Sequence, residues 1–213
     1  MNLLFSNYFQ NIIYTFLIKL KFKNTLLLKH KTVSLVGNGP SLLGKKNGGD
    51  IDSSDIVIRM NNFQTKGFED DVGNMLDIFL TNGWNDVAVP DRSDFVEVWF
   101  SRRIGSSFLS ARRACEFLSG KFCSQVASQF LEEFEKQYDT LPSTGLCGLD
   151  MLLARDPAKV KIFGFDHFEN KNLHYFDKSG VEHVTHISDA ESISFECCLE
   201  IARQKGIQVE VYG

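Results

Sequence analysis

The sequence predicts an α/β domain over residues 33–213, a mostly parallel, twisted sheet flanked by helices on both faces. Three observations carry that expectation. Short apolar runs rich in β-branched residues recur along the chain, as buried parallel strands require. Segments with helical spacing alternate with them, the pattern of strands joined by helical crossovers. Glycine or small polar residues follow several of the runs, at the places where strands turn out of a sheet.

The first run is Val33-Ser34-Leu35-Val36, closed by Gly37. Ile56-Val57-Ile58, Asp77 to Leu80 and Phe95 to Phe100 read as the next three strands. Residues 108–137 carry a helical pattern and are expected to form two helices broken near Gly120. A helix over Leu146–Leu153 is expected to start near Ser143 or Thr144, because either side chain can cap it. Val160 to Gly164 is a further strand. Ser188 opens a helix running to about Lys205, Gly206 ends it, and Ile207 to Tyr212 forms the last strand. Ser188-Asp189-Ala190-Glu191 spells a capping box, in which Glu191 would close its own helix start.

At 213 residues, 43% hydrophobic and 23% charged, the chain is a globular protein rather than a disordered or coiled-coil one. The net charge of −4 gives no reason to expect a nucleic-acid partner. It is unevenly placed: residues 1–32 hold five lysines and no acid, which leaves −9 for the remainder. That arm carries Phe5, Phe9, Ile12, Ile13, Phe16, Leu17 and Leu20 at amphipathic spacing. It is too short and too polar for a spanning helix. Two readings remain open: the stripe packs on the domain, or it lies on an anionic membrane surface. The five cysteines follow no metal-ligand spacing, and a reducing compartment is expected.

Ligands of such sheets bind beyond the carboxyl ends of the strands. After the first strand stands Gly37-Asn38-Gly39-Pro40-Ser41, a turn poor in side chains that lets a nucleotide approach the backbone. The third glycine of the dinucleotide fingerprint is missing, which argues against a dehydrogenase. The second strand ends in Arg59-Met60-Asn61-Asn62. Asp50-Ile51-Asp52 has the spelling of a metal-binding Asp-x-Asp but precedes a strand instead of following one, so no metal site is expected.

Four segments in order resemble the sialylmotifs of glycosyltransferase family 29. Val33 to Asn62, with Val-Gly-Asn-Gly-Pro-Ser and Asp-Ile-Val-Ile-Arg-Met-Asn, resembles the long motif. Leu141-Pro142-Ser143-Thr144-Gly145-Leu146 with Val160 to Phe165 resembles the short one. His174-Tyr175-Phe176-Asp177 is similar to the third motif, and His186 with Glu191 to the very short His-x4-Glu motif.

The resemblance implies a Rossmann-like, variant GT-A sialyltransferase fold. It implies an inverting transfer of sialic acid from CMP-sialic acid to a glycan hydroxyl, with no cofactor and no metal. His186 would be the general base. His174 would act at the leaving phosphate, as donor or general acid, with Tyr175 beside it. Gly37, Asn38, Gly39 and Asn61 would contact the nucleotide. Ser143, Thr144 and Gly145 would offer an anion site at a helix start. Asp166 and His167 fall on the ligand side of the sheet. Arg59 reads as a structural ion-pair partner.

Animal members carry a cysteine in the long-motif strand that bridges to one after the short-motif helix. This strand has none, and Arg155-Asp156 stands near the second position. That implies a bacterial cytosolic protein, which under the membrane reading of the arm would lie peripherally on the inner face of the inner membrane. The partners would be a CMP-activated sugar acid and a glycan or glycolipid acceptor of lipooligosaccharide or capsule. CMP-Kdo as donor stays open, as does a non-catalytic nucleotide-binding partner in a polysaccharide complex.

Overall fold

A computed structural model describes residues 28–81, 90–91, 94–101, 123–127, 129–166, 174–176 and 187–213. Seven strands form one sheet: β1 (Thr32–Val36), β2 (Ile56–Met60), β3 (Ile78–Thr81), β4 (Val96–Ser101), β5 (Cys123–Ala127), β6 (Lys159–Phe163) and β7 (Gln208–Tyr212). The helices are α1 (Gly48–Asp52), α2 (Glu69–Val72), α3 (Gln129–Tyr138), α4 (Thr144–Leu153) and α5 (Ser188–Lys205). The strand order is β5-β4-β3-β2-β1-β6-β7 and every neighbouring pair is parallel. The chain winds outward from β1 to β5, then returns to place β6 on the other side of β1. Ligand crevices form at such a reversal.

Alternation along the strands divides the core between two faces. Val33 and Leu35, Ile58 and Met60, and Val160 and Ile162 pack with buried residues of α3, α4 and α5. Val36, Val57 and Phe163 point the other way, onto Ile51 of α1 and Val72 of α2. Helices on both faces were expected, and α1 and α2 are short additions that no long periodic run announced.

The second face also buries polar groups, each with partners, as burial demands. Ser34 Oγ lies 3.2 Å from the Ile51 carbonyl and 2.8 Å from Ser54 Oγ. Lys161 Nζ donates to Asp50 at 2.6 Å. Arg59, 1% exposed, donates from Nε to the Met75 carbonyl at 2.8 Å and from Nη2 to the Val72 carbonyl at 2.6 Å. Asp52 lies 3.8 Å from Nη2 and also accepts the Asn74 and Met75 N–H groups. Arg59 is thus structural, as read. Both acids of the Asp-x-Asp spelling are engaged in holding the fold.

Two expectations are corrected. Residues 123–127 are not helical: they form edge strand β5, paired through Glu97↔Cys123 to Ser101↔Ala127. Pairing with β4 overrides the local pattern there, and the helix begins only at Gln129. The rest of the expected helical stretch, 108–122, lies outside the described residues. The capping box at Ser188 does not form either. The N-cap of α5 is Ile187, with no side-chain cap, and Glu191 bonds elsewhere.

Hydrogen bonding from Lys161 holds the Asp50 carboxyl below its ordinary range. The N–H groups of Gly44 and Lys46 do the same for Asp71. A lowered folded pKa contributes stability above the unfolded value, and that contribution is lost as pH falls through the folded one. Urea midpoints are therefore expected to fall as pH drops below about 4, with the slope reduced in Asp71→Asn.

Candidate active site

The crevice at the reversal is bounded by the loops that follow β1, β2 and β6 and by the start of α4. Gly37 and Gly39 fit the β1 loop against the β6 loop. A Cβ at Gly37 would stand 2.4 Å from the Gly164 carbonyl oxygen, and one at Gly39 would stand 2.5 Å from the Asp166 carboxyl carbon. Backbone packing therefore requires Gly37, and a side chain at Gly39 would displace the Asp166 carboxyl. Asp166 ties the two loops together: it accepts from the Ser41 N–H at 2.9 Å and, through a short hydrogen bond, from Ser41 Oγ.

Asn38 donates from Nδ2 to the Met60 carbonyl at 3.1 Å, bridging β1 to the end of β2. The opposite amide orientation would set two oxygens against each other, so this contact fixes which way the side chain points. Its Oδ1 is buried and has no partner among the described residues. A buried acceptor left unpaired costs about 1–3 kcal/mol and marks a place where a donor is missing.

Asn61 adopts a left-handed backbone at φ 49°, a conformation that asparagine tolerates better than most residues. That turn brings its Nδ2 to Thr144 Oγ1 at 3.1 Å, at the head of α4. Ser143 caps α4, its Oγ accepting from the Leu146 N–H at 3.1 Å. No acceptor among the described residues takes the N–H groups of Thr144 and Gly145. A Cβ at Gly145 would meet the Phe165 ring at 2.9 Å and Met60 Sδ at 3.2 Å. The head of α4 thus sits tightly against the ends of β2 and β6.

Glu191, 3% exposed in the first turn of α5, reaches across to Ser143. Its carboxylate accepts from the Ser143 N–H at 2.6 Å and from Ser143 Oγ at 2.8 Å. This role escaped the sequence reading because Glu191 also fits a local capping box, and that shorter-range explanation hid the longer one.

Tyr175 is placed differently from the expectation that it faces a phosphate. It is 5% exposed and packs edge-on to Phe68 at 5.2 Å. Its hydroxyl bonds the Gln64 carbonyl and accepts from the Gln64 N–H. Its own N–H donates to the Asn38 carbonyl at 2.9 Å. Tyr175 therefore braces the β1 loop against the segment after β2, and burial raises its phenol pKa. His174, beside it, stacks on Phe176 with ring centroids 5.2 Å apart. His186, His183 and His167 lie outside the described residues.

Segments from four parts of the chain thus meet at one crevice. Asn38 and Asn61 come from the first, Ser143 to Gly145 from the second, Tyr175 from the third and Glu191 from the last. The arrangement offers an orphaned acceptor, two amide side chains and free N–H groups at a helix start, which suits a polar, anionic ligand.

Part of the chain matches a known family, and the fold matches solved structures. Residues 7–87 match glycosyltransferase family 29 (sialyltransferase). Human alpha-N-acetylgalactosaminide alpha-2,6-sialyltransferase 3 is 41% identical over 58 residues, which cover 27% of this chain and 19% of that enzyme. The match thus spans about a fifth of the curated relative's length. A mammalian sialyltransferase crystal structure superposes with a TM-score of 0.68 at 19% identity, covering 95% of this chain and 78% of the other. CstII from Campylobacter jejuni, in complex with cytidine-5'-monophosphate, superposes with a TM-score of 0.57 at 13% identity, covering 86% and 80%. At these identities the structural likeness is one of fold. The matched segment runs from before β1 to beyond β3, so over residues 7–87 the chain is similar to glycosyltransferase family 29, and its fold is like that of the solved sialyltransferases.

Proposed function

We propose that this protein transfers sialic acid from CMP-sialic acid to a hydroxyl of a glycan acceptor, with inversion and without a metal ion. The observation that supports this reading best is the crevice itself, where the orphaned Asn38 Oδ1, the Asn61–Thr144 bridge and the head of α4 meet at the strand reversal. Asn38 Oδ1 would accept from the nucleotide. The free N–H groups of Thr144 and Gly145 would hold an anionic group, the donor's phosphate or carboxylate. Gly37 and Gly39 would keep the β1 loop thin enough for the nucleotide to lie against it.

The bond from the anomeric carbon to phosphate breaks as the acceptor oxygen attacks from the opposite face. Negative charge grows on the phosphate, where fixed dipoles stabilise it without reorganising. His174 would donate a hydrogen bond or proton to the departing phosphate. His186 would take the proton from the acceptor hydroxyl. Tyr175 contributes through its brace on the Asn38 loop, its hydroxyl being engaged already. The acceptor we assign is a glycan or glycolipid of a bacterial surface.

Calorimetric titration of the full chain with CMP, UDP and GDP in metal-free buffer tests the donor assignment. Binding is expected for CMP alone, and Asn38→Asp is expected to weaken it about tenfold or more, since a carboxylate there faces the Met60 carbonyl and repels the anion. Absence of CMP binding would overturn the reading. A chelator is expected to leave transfer unchanged; a metal requirement would remove the metal-free mechanism.

A further inference from the structure

The outer face of α5 carries an apolar stripe with no described partner. Its inner face is accounted for: Ala190, Phe195, Cys198 and Ala202 are buried in the core. On the opposite side Ile193 is 54% exposed, Ile201 is 42% exposed and Cys197 between them is exposed as well. These three lie at i, i+4 and i+8, so they line up along one side of the helix over about 12 Å. Two large branched side chains at that spacing on an otherwise charged face form a strip that favours contact with another apolar helix face.

The chain supplies such a face. The arm that precedes Leu28 has Phe9, Ile13, Phe16 and Leu20 at amphipathic spacing. Leu28 itself is 2% exposed and belongs to the same buried cluster as Phe195, Cys198 and Ala202 of α5. The arm therefore joins the domain on the side of the sheet that α5 covers. Hydrogen bonds locate the junction further. The Lys31 carbonyl accepts from Ala158 and Lys159, and the Ala158 carbonyl accepts from Gln208, three residues beyond the end of α5. The arm consequently enters at the foot of α5, near Ile201, and the stripe rises from there toward Ile193.

Charge agrees with that placement. The arm carries Lys19, Lys21 and Lys23 with no acid. The exposed side of α5 carries Glu196 and Glu200 beside the stripe, Glu200 also pairing with Arg203 at 2.7 Å. The match to family 29 begins at residue 7, inside the arm, so the arm is continuous with the family segment.

We propose that the arm docks on the outer face of α5, with its apolar stripe covering Ile193, Cys197 and Ile201 and its lysines beside Glu196 and Glu200. The proposal is independent of the reaction assigned above. It takes the first of the two readings of the arm, packing on the domain, over a seat on a membrane.

Cys197 reports on it directly. The full chain is treated with a maleimide and labelling is followed at the Cys197 peptide by mass spectrometry. Cys147 and Cys198 serve as internal controls for folding, since both are buried and burial raises their thiol pKa, that of Cys198 to about 12. Labelling of Cys197 is expected to be slow in the native protein and at least about tenfold faster in F9D/F16D. Equal rates in the two proteins would overturn the proposal. So would protection that rises with protein concentration, which would mean a second copy of the chain, or protection that arises only with anionic vesicles. Should F9D/F16D label at Cys147 and Cys198 too, it has unfolded and I193E/I201E decides. That variant alters exposed positions only and is expected to raise hydrogen exchange across residues 5–20; unchanged exchange there would overturn the proposal.

Discussion

Glu191→Ala is expected to lower stability by roughly 3 kcal/mol and to weaken CMP binding by at least tenfold. The carboxylate is buried and accepts two hydrogen bonds from one residue, Ser143. Its removal strands the Ser143 N–H and frees the hydroxyl that caps α4. The head of α4 is where Thr144 meets Asn61, so a frayed first turn moves both groups assigned to the nucleotide. Glu191→Gln separates the two consequences. A glutamine keeps one acceptor oxygen and can donate to Ser143 Oγ, so it is expected to retain most of the CMP affinity. Chemical denaturation and calorimetry on the two variants check this. Equal CMP affinity in Glu191→Ala and the wild type would show that Glu191 has no part in positioning the site.

His186→Ala is expected to reduce transfer by about 10²–10⁴-fold while CMP affinity stays within severalfold. The two readouts divide because, in the proposed reaction, a general base acts on the acceptor and other groups hold CMP. The base must be neutral to accept a proton. Transfer by the wild type is therefore expected to rise with pH as the base loses its proton, and the residual activity of the variant to lose that rise. Joint loss of transfer and CMP binding would make His186 a nucleotide-binding or structural residue instead. An unchanged pH profile would assign the base elsewhere.

Much of this fold was legible because its strands are buried on both sides. Val33 to Val36, Ile56 to Ile58 and Val160 to Phe163 are short, mostly apolar and rich in β-branched residues, with glycine after the first and last, which favours strands. Ser143 and Gly206 marked real helix ends, since capping is local chemistry that a short window contains. β5 was not legible. Cys123-Ser124-Gln125-Val126-Ala127 has little strand character of its own, and its conformation comes from β4 alongside.

The site divides in the same way. Asn38 and Ser143 to Gly145 were singled out by their positions after a strand and at a helix start, Asn61 by the family resemblance, and the fold brings Asn61 to Thr144. What they bond could not be read, because Asn61–Thr144 and Ser143–Glu191 each join residues distant in sequence. Tyr175 shows the limit plainly. Its place in the motif was read as facing the ligand, whereas packing against Phe68 and the Gln64 backbone turns its hydroxyl inward.

The pairing of β1 with β6 has a consequence for how the protein is made. The strand that flanks Val33 to Val36 on one side, Val160 to Phe163, is synthesised far later than they are. Closing that long loop is slow, and parallel strands distant in the chain cannot pair until both exist. The nascent chain therefore holds β1 with one edge open until that strand is made. The β6 loop, whose Asp166 anchors Ser41, arrives only with that late strand. Fragments that stop short of residue 166 are accordingly expected to carry the best-matched family segment without a formed crevice, and to need protection against edge-to-edge association.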